Sequence, residues 1–293
     1  MSTVAQNLIN ALSLGSLYAL IALGVALLFS IMGLINFAHG ELIMIGGYAL
    51  LWFAGLPFPV TAVLVVAVVI GCALAMERVA FRSVRGATGE TLLMTSFALS
   101  LFVQGGALLF EGADPKSVDV LGTLGASVEV AGVSVGKLDI AIIGVTAALL
   151  LGLAWFLRAT SLGVQMRAAA EDFGMARALG VRADLVVAAA FGMSGAFAAI
   201  AAIFLVASTG ALTPAMGLKP VLVGFVAIVL GGLGRLWAAA LGAYVLALLS
   251  VMLQAYLPDG VAPYRDALVY FGIVVILMFR PHGIAGRPGA VRV

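Results

Sequence analysis

Residues 33–48 read GLINFAHGELIMIGGY, and they place Asn36, His39 and Glu41 within six positions of one another in an otherwise apolar run. The rest of the chain is similarly apolar: 64% of its 293 residues are hydrophobic and 10% are charged, whereas ordinary soluble domains contain roughly 25% charged residues. Its mean hydropathy is +1.23. Polar and ionisable groups at membrane depth are costly and mark functional sites, so these three residues are the first candidates.

Apolar stretches close to the roughly 20 residues that cross a bilayer core recur along the chain. They predict an all-α, polytopic membrane protein with a single transmembrane domain over residues 1–293. We expect about eight or nine membrane helices, because segment 221–234 is short enough to be re-entrant. The first apolar run lacks a preceding basic segment, so we expect a spanning helix there and not a removable signal peptide. The predicted spans are 8–31, 37–55, 59–76, 91–110, 139–157, 186–207, 221–234, 237–256 and 266–280.

Arginine residues concentrate in two connections and in the C-terminal tail, whereas segment 111–138 carries four acids and two lysines. Cytoplasmic loops carry the excess of Lys and Arg. Segment 158–184 and the C-terminus are therefore predicted to be cytoplasmic, with segment 111–138 a periplasmic loop and the N-terminus outside. The alternating SVEVAGVSV within that periplasmic loop predicts a short hairpin.

The sequence offers little support for an enzyme. Gly192-Met193-Ser194-Gly195 is similar to the nucleophile motif of intramembrane rhomboid proteases, but a serine nucleophile needs a nearby general base. His39 lies far upstream and His282 lies in the tail, so Ser194 is predicted to be a packing residue. Two histidines and one cysteine give no metal cluster. Without a G-x-x-x-x-G-K-[ST] motif, ATP hydrolysis would require a separate polypeptide.

Glycine is abundant, with 36 residues, as expected where membrane helices pack closely. We predict close helix contacts at two glycine-rich clusters and along one face of the helix that contains the opening stretch. The glycines concerned are Gly40, Gly47, Gly192, Gly195, Gly231 and Gly232. The net charge of +2 gives no reason to expect nucleic acid as a partner.

The most informative soluble stretch is 158–184. Leu162, Met166, Ala169, Phe173 and Ala176 recur at spacings of four and three, which predicts one face of a helix. Gly180 is a natural helix stop, and Asp184 is suited to cap the next helix. Such a helix can lie on the membrane surface or fit a groove on a soluble partner. Its thin, alanine-rich face favours the partner.

Four segments in chain order resemble the permease subunits of bacterial branched-chain amino acid ABC importers. The segments are GLINFAHGELIMIGGYAL (33–50), RAAAEDFGMARALGV (167–181), MGLKPVLVGFVAIVLGGLG (216–234) and MFRPHGIAGRP (278–288). The resemblance implies the ABC-importer permease architecture in the bacterial inner membrane, among membrane lipid. It also implies a second permease subunit, two cytoplasmic ATPases that bind ATP and Mg, and a periplasmic amino-acid-binding protein. It implies no cofactor in this chain.

Within the resemblance, 158–184 is the coupling loop that docks on the ATPase. Glu171, Ala176 and Gly180 match the acidic, alanine and glycine positions of the importer signature, and Asp172 and Arg177 lie beside them. An ABC permease for urea or another small amide remains the alternative. An ion-coupled carrier working alone is less favoured, because such carriers hold their ion with intramembrane acids or broken helices, and Glu41 is the one acid well inside an apolar run.

Two interpretations remain for Asn36, His39 and Glu41. Asn36 can cap a helix that enters the membrane from the cytoplasm, and Glu41 would then sit at the favourable end of the helix dipole. Alternatively, the three residues line or gate the solute path, with Glu41 the better candidate. On a helical wheel they point to three different faces, so we expect no single ligand to contact all three.

Overall fold

The structure, a computed structural model, describes residues 2–33, 35–118, 127–130, 133–258 and 260–285. It confirms the all-α membrane class: within these residues six helices are long and apolar enough to cross a bilayer. Three further apolar helices of 14 or 15 residues bring the number to nine. The helices are α1 (Ser2–Met32), α2 (His39–Trp52), α3 (Phe58–Met76), α4 (Gly89–Glu111), α5 (Lys137–Ala159), α6 (Ser161–Glu171), α7 (Phe173–Ala178), α8 (Ala183–Thr209), α9 (Leu218–Gly231), α10 (Leu236–Tyr256) and α11 (Arg265–Phe279).

Four short strands form two antiparallel pairs. They are β1 (Lys116–Ser117), β2 (Ser127–Val130), β3 (Val133–Gly136) and β4 (Ala211–Leu212). The β2–β3 pair confirms the predicted hairpin. The β1–β4 pair joins the connection after α4 to the connection after α8. The sequence analysis did not predict this pair. Residues 119–126 and 131–132 of the predicted periplasmic loop lie outside the described residues.

Helix α1 is the central element of the bundle. All residues from Ala19 to Leu28 are buried, and the helix contacts α5, α8, α9 and α10. A helix that is apolar all round is stable only where other helices surround it. By contrast, α4 and α5 bury one narrow face each and expose bulky apolar side chains elsewhere. The structure therefore has a central helix and a looser periphery.

Helix α2 begins inside the bundle and not at its edge. The imidazole of His39, its first residue, lies against Gly24 of α1, eight residues before α1 ends. At 1.5 Å per residue, α2 starts about 12 Å above the end of α1. The chain turns at Gly33, which has φ of 66°, and residues 35–38 are not helical. Such non-helical backbone is tolerated at membrane depth only where protein surrounds it.

The connection from α8 to α9 repeats this arrangement. The chain turns at Gly210, with φ of 65°, returns inward through β4, and starts the short helix α9 after Gly217. We call α1, its returning loop and α2 the first returning unit, and α8, its returning loop and α9 the second. Four small residues of the first returning unit recur 177 positions later (210 minus 33, 217 minus 40). The pairs are Gly33 and Gly210, Ala38 and Ala215, Gly40 and Gly217, and Gly47 and Gly224. The chain thus contains two copies of a long helix, a returning loop and a 14-residue helix.

The two copies meet at equivalent glycines. A Cβ on Gly40 would overlap the carbonyl of Gly217, and a Cβ on Gly217 would overlap the backbone of Gly40. Equivalent residues meet each other in this way across a two-fold axis. Four small residues mark this duplication in the sequence, and local patterns do not reveal it.

One end of the bundle is rich in arginine. Beyond α3 the chain continues through a π-helical turn, Glu77–Phe81, and a 3₁₀ turn, Arg82–Val84. Arg85 pairs with Glu77 and with Asp184, and Arg82 lies 3.4 Å from Asp184. The predicted capping role of Asp184 is therefore wrong. The residue before the first turn of α8 is Arg182, and it makes no side-chain cap bond. Asp184 lies inside the first turn, and its ion pairs join the start of α8 to the α3–α4 connection.

The glycines predicted to pack closely differ from one another. A Cβ added to Gly195 would lie 2.8 Å from the Cβ of Ala73. A Cβ added to Gly231 would overlap the carbonyl of Ala238. Gly47 packs against Leu212, Met216 and Val206 of the second returning unit. Gly192 has nothing nearer than 3.9 Å, so an added methyl group fits there. Gly232, with φ of 121°, ends α9.

The contrast between the two glycines of α8 gives a matched test. Gly195→Ala forces a methyl group against Ala73 and the α3 backbone, and overpacking of this kind costs about 1–3 kcal/mol. Gly192→Ala should leave stability unchanged or raise it slightly, because alanine favours helix by about 1 kcal/mol over glycine. Thermal denaturation of the purified protein should show a lower midpoint for Gly195→Ala alone. Equal midpoints for both variants would contradict the packing described here.

Candidate functional site

Asn36 organises the turn before α2. Its Oδ1 accepts a hydrogen bond of 3.0 Å from the backbone N–H of Ala38, and the N–H of His39 donates to the carbonyl of Asn36. The predicted helix cap is nevertheless wrong: α2 starts at His39, two residues after the predicted start of this span at residue 37, and Ala38 precedes its first residue with no side-chain cap bond. The side chain of Asn36 is buried in this turn, and its role is to shape the returning loop.

His39 joins three helices. Its Nδ1 lies 3.0 Å from the hydroxyl of Ser194, which donates a 2.9 Å bond to the carbonyl of Gly24. Since the single hydroxyl proton goes to that carbonyl, Nδ1 of the imidazole carries a proton and donates to Ser194 Oγ. Both side chains are fully buried. The sequence analysis took His39 to be too far from Ser194 to act as its base. This was wrong, because the fold brings the two side chains into contact.

The hydrogen bonds of Ser194 differ from those of a serine nucleophile, and they give it a linking role that the prediction of a packing residue did not include. A serine nucleophile directs its hydroxyl proton toward the base, whereas the proton of Ser194 is committed to the carbonyl of Gly24. Both side chains are closed off from solvent. The pair ties α1, α2 and α8 together where α2 begins. Nε2 of His39 has no hydrogen-bond partner within the described part of the chain.

Glu41 faces a different helix. Its Oε1 accepts a 2.7 Å hydrogen bond from Ser100 of α4, and the residue is 2% exposed. The second oxygen, Oε2, finds no hydrogen-bond partner among the described residues. A buried polar atom without a partner costs free energy and calls for an explanation. Glu41 is therefore, with Nε2 of His39, a group in this region that has unused capacity to bind a hydrogen-bond donor.

The structure adds three residues of α4 that the sequence analysis missed. Ser96 contacts the carbonyl of Ile35 and the N–H of Phe37 at 3.3 and 3.4 Å. Gln104 donates a 3.4 Å bond to the carbonyl of Pro214. With Ser100 between them, these polar residues recur every four positions and form one stripe on α4. The stripe touches both returning loops as well as Glu41. Its spacing was visible in the sequence, but its partners were not.

The three polar residues of the opening stretch do not converge, as the helical wheel predicts. Asn36 turns back on its own loop, His39 reaches α8, and Glu41 reaches α4. A path through this region would therefore offer one free carboxylate oxygen and a stripe of neutral polar groups, and no dense binding site.

The predicted coupling loop forms two short helices. The five residues expected on one face are all buried or half-buried, as predicted, but the helix breaks at Asp172. The side chain of Asp172 accepts a 2.9 Å bond from Met175 N–H and thereby caps α7. Gly180, with φ of 88°, ends it, and Val181 N–H bonds the carbonyl of Ala176, as in a Schellman cap.

The five docking candidates occupy different positions around these helices. Glu171 and Gly180 are exposed, and so are Met175 and Leu179 beside them. Ala176 is buried against the chain's own core. Arg177 lies one turn after Phe173, and both line a cavity between α7 and the ends of α1, α4 and α8. The exposed side of the loop is therefore the side available to a partner.

Comparison with known proteins gives a match along nearly the whole chain. The family described as branched-chain amino acid transport system / permease component matches residues 7–278. The chain is 33% identical to the high-affinity branched-chain amino acid transport system permease protein BraD of Pseudomonas aeruginosa and 35% identical to LivH of Escherichia coli K12. Each alignment covers 98% of this chain and 97% of the relative. The solved PsaBC structure from Streptococcus pneumoniae is 14% identical over 92% of this chain and 90% of that chain, with a TM-score of 0.45.

The turn at Asn36 can be tested by substitution. Asn36→Ser keeps a side-chain oxygen for the N–H of Ala38 and should fold nearly as well as the wild type. Asn36→Leu removes that acceptor, and losses of this kind cost about 0.5–2 kcal/mol. The measurement is the yield of folded protein in size-exclusion chromatography. Equal yields for Asn36→Leu and Asn36→Ser would refute the role assigned to the Asn36 side chain.

Proposed function

The chain belongs to the family of permease components of branched-chain amino acid transport systems, and we propose that it is the membrane subunit of an ATP-driven importer for branched-chain amino acids. The observation that carries this proposal is the identity of 33–35% to two such permeases over nearly their full length. The chain is an integral membrane protein with many apolar helices. In this role it moves solute and leaves nucleotide chemistry to other subunits.

The proposed assembly contains a second permease subunit, two ATPases that bind ATP and Mg, and a periplasmic binding protein that delivers the amino acid. The permease then needs a smooth passage more than a tight site. Sparse buried charge supports this reading: Glu41 and Glu77 are the buried acids among the described residues, and Glu77 is paired with Arg85. A branched-chain amino acid is a zwitterion with an apolar side chain, which suits such a passage.

Reconstitution tests the proposal. Proteoliposomes with the full set of subunits should accumulate leucine, isoleucine or valine only when ATP and the binding protein are present. Urea serves as the competing solute, since a urea-type permease is the alternative. ATP-dependent uptake of urea without amino acid uptake would replace the substrate assignment. Ion-driven uptake by this subunit alone would refute the importer itself.

The arginine distribution supports a proposed orientation. Arg82, Arg85 and Arg182 gather at one end of the bundle with the coupling loop, whereas β1 lies at the end where α4 finishes. By the positive-inside rule the arginine end is cytoplasmic, in the inner membrane of a bacterium. We propose that the C-terminus is also cytoplasmic, as the arginines of the tail predict, and that segment 111–138 faces the periplasm.

Cysteine labelling measures this orientation in a background where Cys72, the one native cysteine, is replaced by alanine. Single cysteines at Ser83 and Gly174 should react only with a reagent applied from the cytoplasm. A cysteine at Ser117 should react only from the periplasm. All three positions are exposed, so access is not limited by packing. Labelling of Ser117 and Gly174 from the same side would overturn the orientation.

The exposed side of α6 and α7 is the proposed docking surface for an ATPase. Glu171 and Gly180 lie on or beside it, and Asp172 caps α7. Ala176 packs into the core, and Arg177 lines the cavity beside α7. Because Asp184 follows this loop and pairs with Arg82 and Arg85, a displacement of the loop would reach the α3–α4 connection. That connection leads directly into α4 and its polar stripe.

Two variants test the docking surface. Glu171→Arg reverses a charge at the partner surface, and Gly180→Val strains a backbone position with φ of 88°. Both should insert normally but uncouple ATP hydrolysis from transport, with uptake reduced at least about tenfold, which corresponds to about 1.4 kcal/mol of coupling free energy. Glu90→Arg, at the exposed start of α4, is the matched charge control. Normal transport by both variants would remove the coupling role.

Glu41 is the proposed contact for solute on the path. Its free oxygen and its position opposite Ser100 support this role. Glu41→Gln keeps the shape and the bond to Ser100 but removes the capacity for negative charge. We expect uptake per assembled complex to fall with normal expression, whereas Asn36→Ser should transport almost normally. Wild-type rates for Glu41→Gln would exclude a role in the path and leave Glu41 as part of the helix start.

A further inference from the structure

The arginine-rich end of the bundle contains a cavity of about 790 Å³. It lies where α1 ends and where α4 and α8 begin, behind the exposed side of the coupling loop. Ile31 and Met32 of α1, Leu92 of α4 and Val187 of α8 contribute apolar walls. Phe173 of α7 adds an aromatic side chain. The walls therefore suit a hydrocarbon body of substantial size.

Positive charge dominates the polar part of the cavity. Arg85, Arg177 and Arg182 line it together with a single acid, Asp184. The carboxylate of Asp184 is occupied by Arg82 and Arg85, and Arg85 also pairs with Glu77. Arg177 and Arg182 form no salt bridge with any acid in the described ranges. Two guanidinium groups thus remain to bind an anion at the edge of an apolar cavity.

Guanidinium groups match the geometry of phosphate oxygens and bind them with paired hydrogen bonds. Basic pockets between membrane helices on the cytoplasmic side bind anionic lipid headgroups. An apolar wall beside two free arginines fits a ligand that has both a phosphate and an acyl chain. A free inorganic anion would leave the walls formed by Ile31, Leu92 and Phe173 unused.

The coupling partner is a weaker candidate for this cavity. Phe173 and Arg177 are four residues apart and so share the inner side of α7. Met175 and Leu179, which are 60% and 79% exposed, lie on another side of the same segment. The surface available to a soluble protein and the surface facing the cavity are therefore different sides of α7.

We propose that this cavity binds one anionic phospholipid, with its phosphate on Arg177 and Arg182 and an acyl chain against Ile31, Leu92 and Phe173. The lipid joins α7 of the coupling loop to the ends of α1 and α4. This binding does not depend on the transported solute, so it can be measured without transport and stands or falls separately from the proposed importer function.

Native mass spectrometry of the full-length protein in mild detergent tests the proposal, with phosphatidylglycerol and phosphatidylcholine as probes. The wild type should retain one phosphatidylglycerol, and the double variant Arg177→Gln, Arg182→Gln should bind it at least tenfold more weakly. The control removes two other exposed arginines outside the cavity, Arg78→Gln and Arg158→Gln, and should bind within twofold of the wild type.

Several outcomes would overturn the proposal. Equal binding of phosphatidylglycerol by the wild type and the double variant would show that the two arginines do not hold lipid. Equal retention of phosphatidylcholine would show that charge is not recognised. Displacement of the lipid by millimolar inorganic phosphate would identify a site for a free anion. Loss of the lipid on assembly with the ATPase would assign the cavity to that partner.

Discussion

The contact between the backbones of Gly40 and Gly217 is the constraint on which the arrangement of the bundle depends. Each glycine stands at the start of a short helix that begins within the protein, after a loop that returns from the end of a long helix. Unpaired backbone groups at membrane depth cost several kcal/mol each, so both loops must be enclosed. The two units enclose each other at this point, and a side chain at either glycine would separate them.

The polar side chains of the opening stretch satisfy this same requirement. Asn36 supplies an acceptor to its own loop, and His39 connects the start of α2 to α1 and α8 through Ser194. Ser96 and Gln104 on α4 bond to backbone groups of the first and second returning loops. Most of the polar residues here therefore hold the returning loops and the short helices in place. Glu41 differs because its side chain bonds to a side chain of α4 and to no backbone group of a returning loop, and one of its carboxyl oxygens has no partner in the described structure.

Helix α4 connects this polar region to the coupling end of the molecule. Its buried residues are Leu92, Ser96 and Ser100, and Phe97 packs edge-on against Phe37, so both hydrogen bonds and apolar contacts hold it in place. Hydrogen bonds between neutral groups, such as those of Ser96 and Gln104 to the returning loops, contribute about 1 kcal/mol each. The start of α4 follows the connection that Arg82 and Arg85 join to Asp184. The α3–α4 connection therefore links the start of α8 to α4, and α4 bonds to Glu41 through Ser100.

Local sequence patterns were enough to predict the membrane class, the approximate positions of nine helices, the hairpin, and the buried face and the end of the helical segment before Gly180. Those features depend on local hydropathy, on periodicity and on the backbone freedom of Gly180. All three can be recognised from residues that are close together in the sequence. The sequence also determined the family resemblance, because the matching segments stand in order along the chain. The break at Asp172 was not predicted, since apolar periodicity continues across it.

The pairs of polar groups that meet in the core follow from the tertiary structure and not from local sequence. His39 and Ser194 are 155 positions apart, Glu41 and Ser100 are 59 apart, and no local pattern encodes such pairs. The duplication of the returning units also became recognisable only once Gly33 and Gly210 proved to share a backbone conformation. Long-range contacts depend on how helices cross in three dimensions. For that reason the sequence predicted Asn36, His39 and Glu41 as candidate residues, and the fold showed that each contacts a different part of the structure.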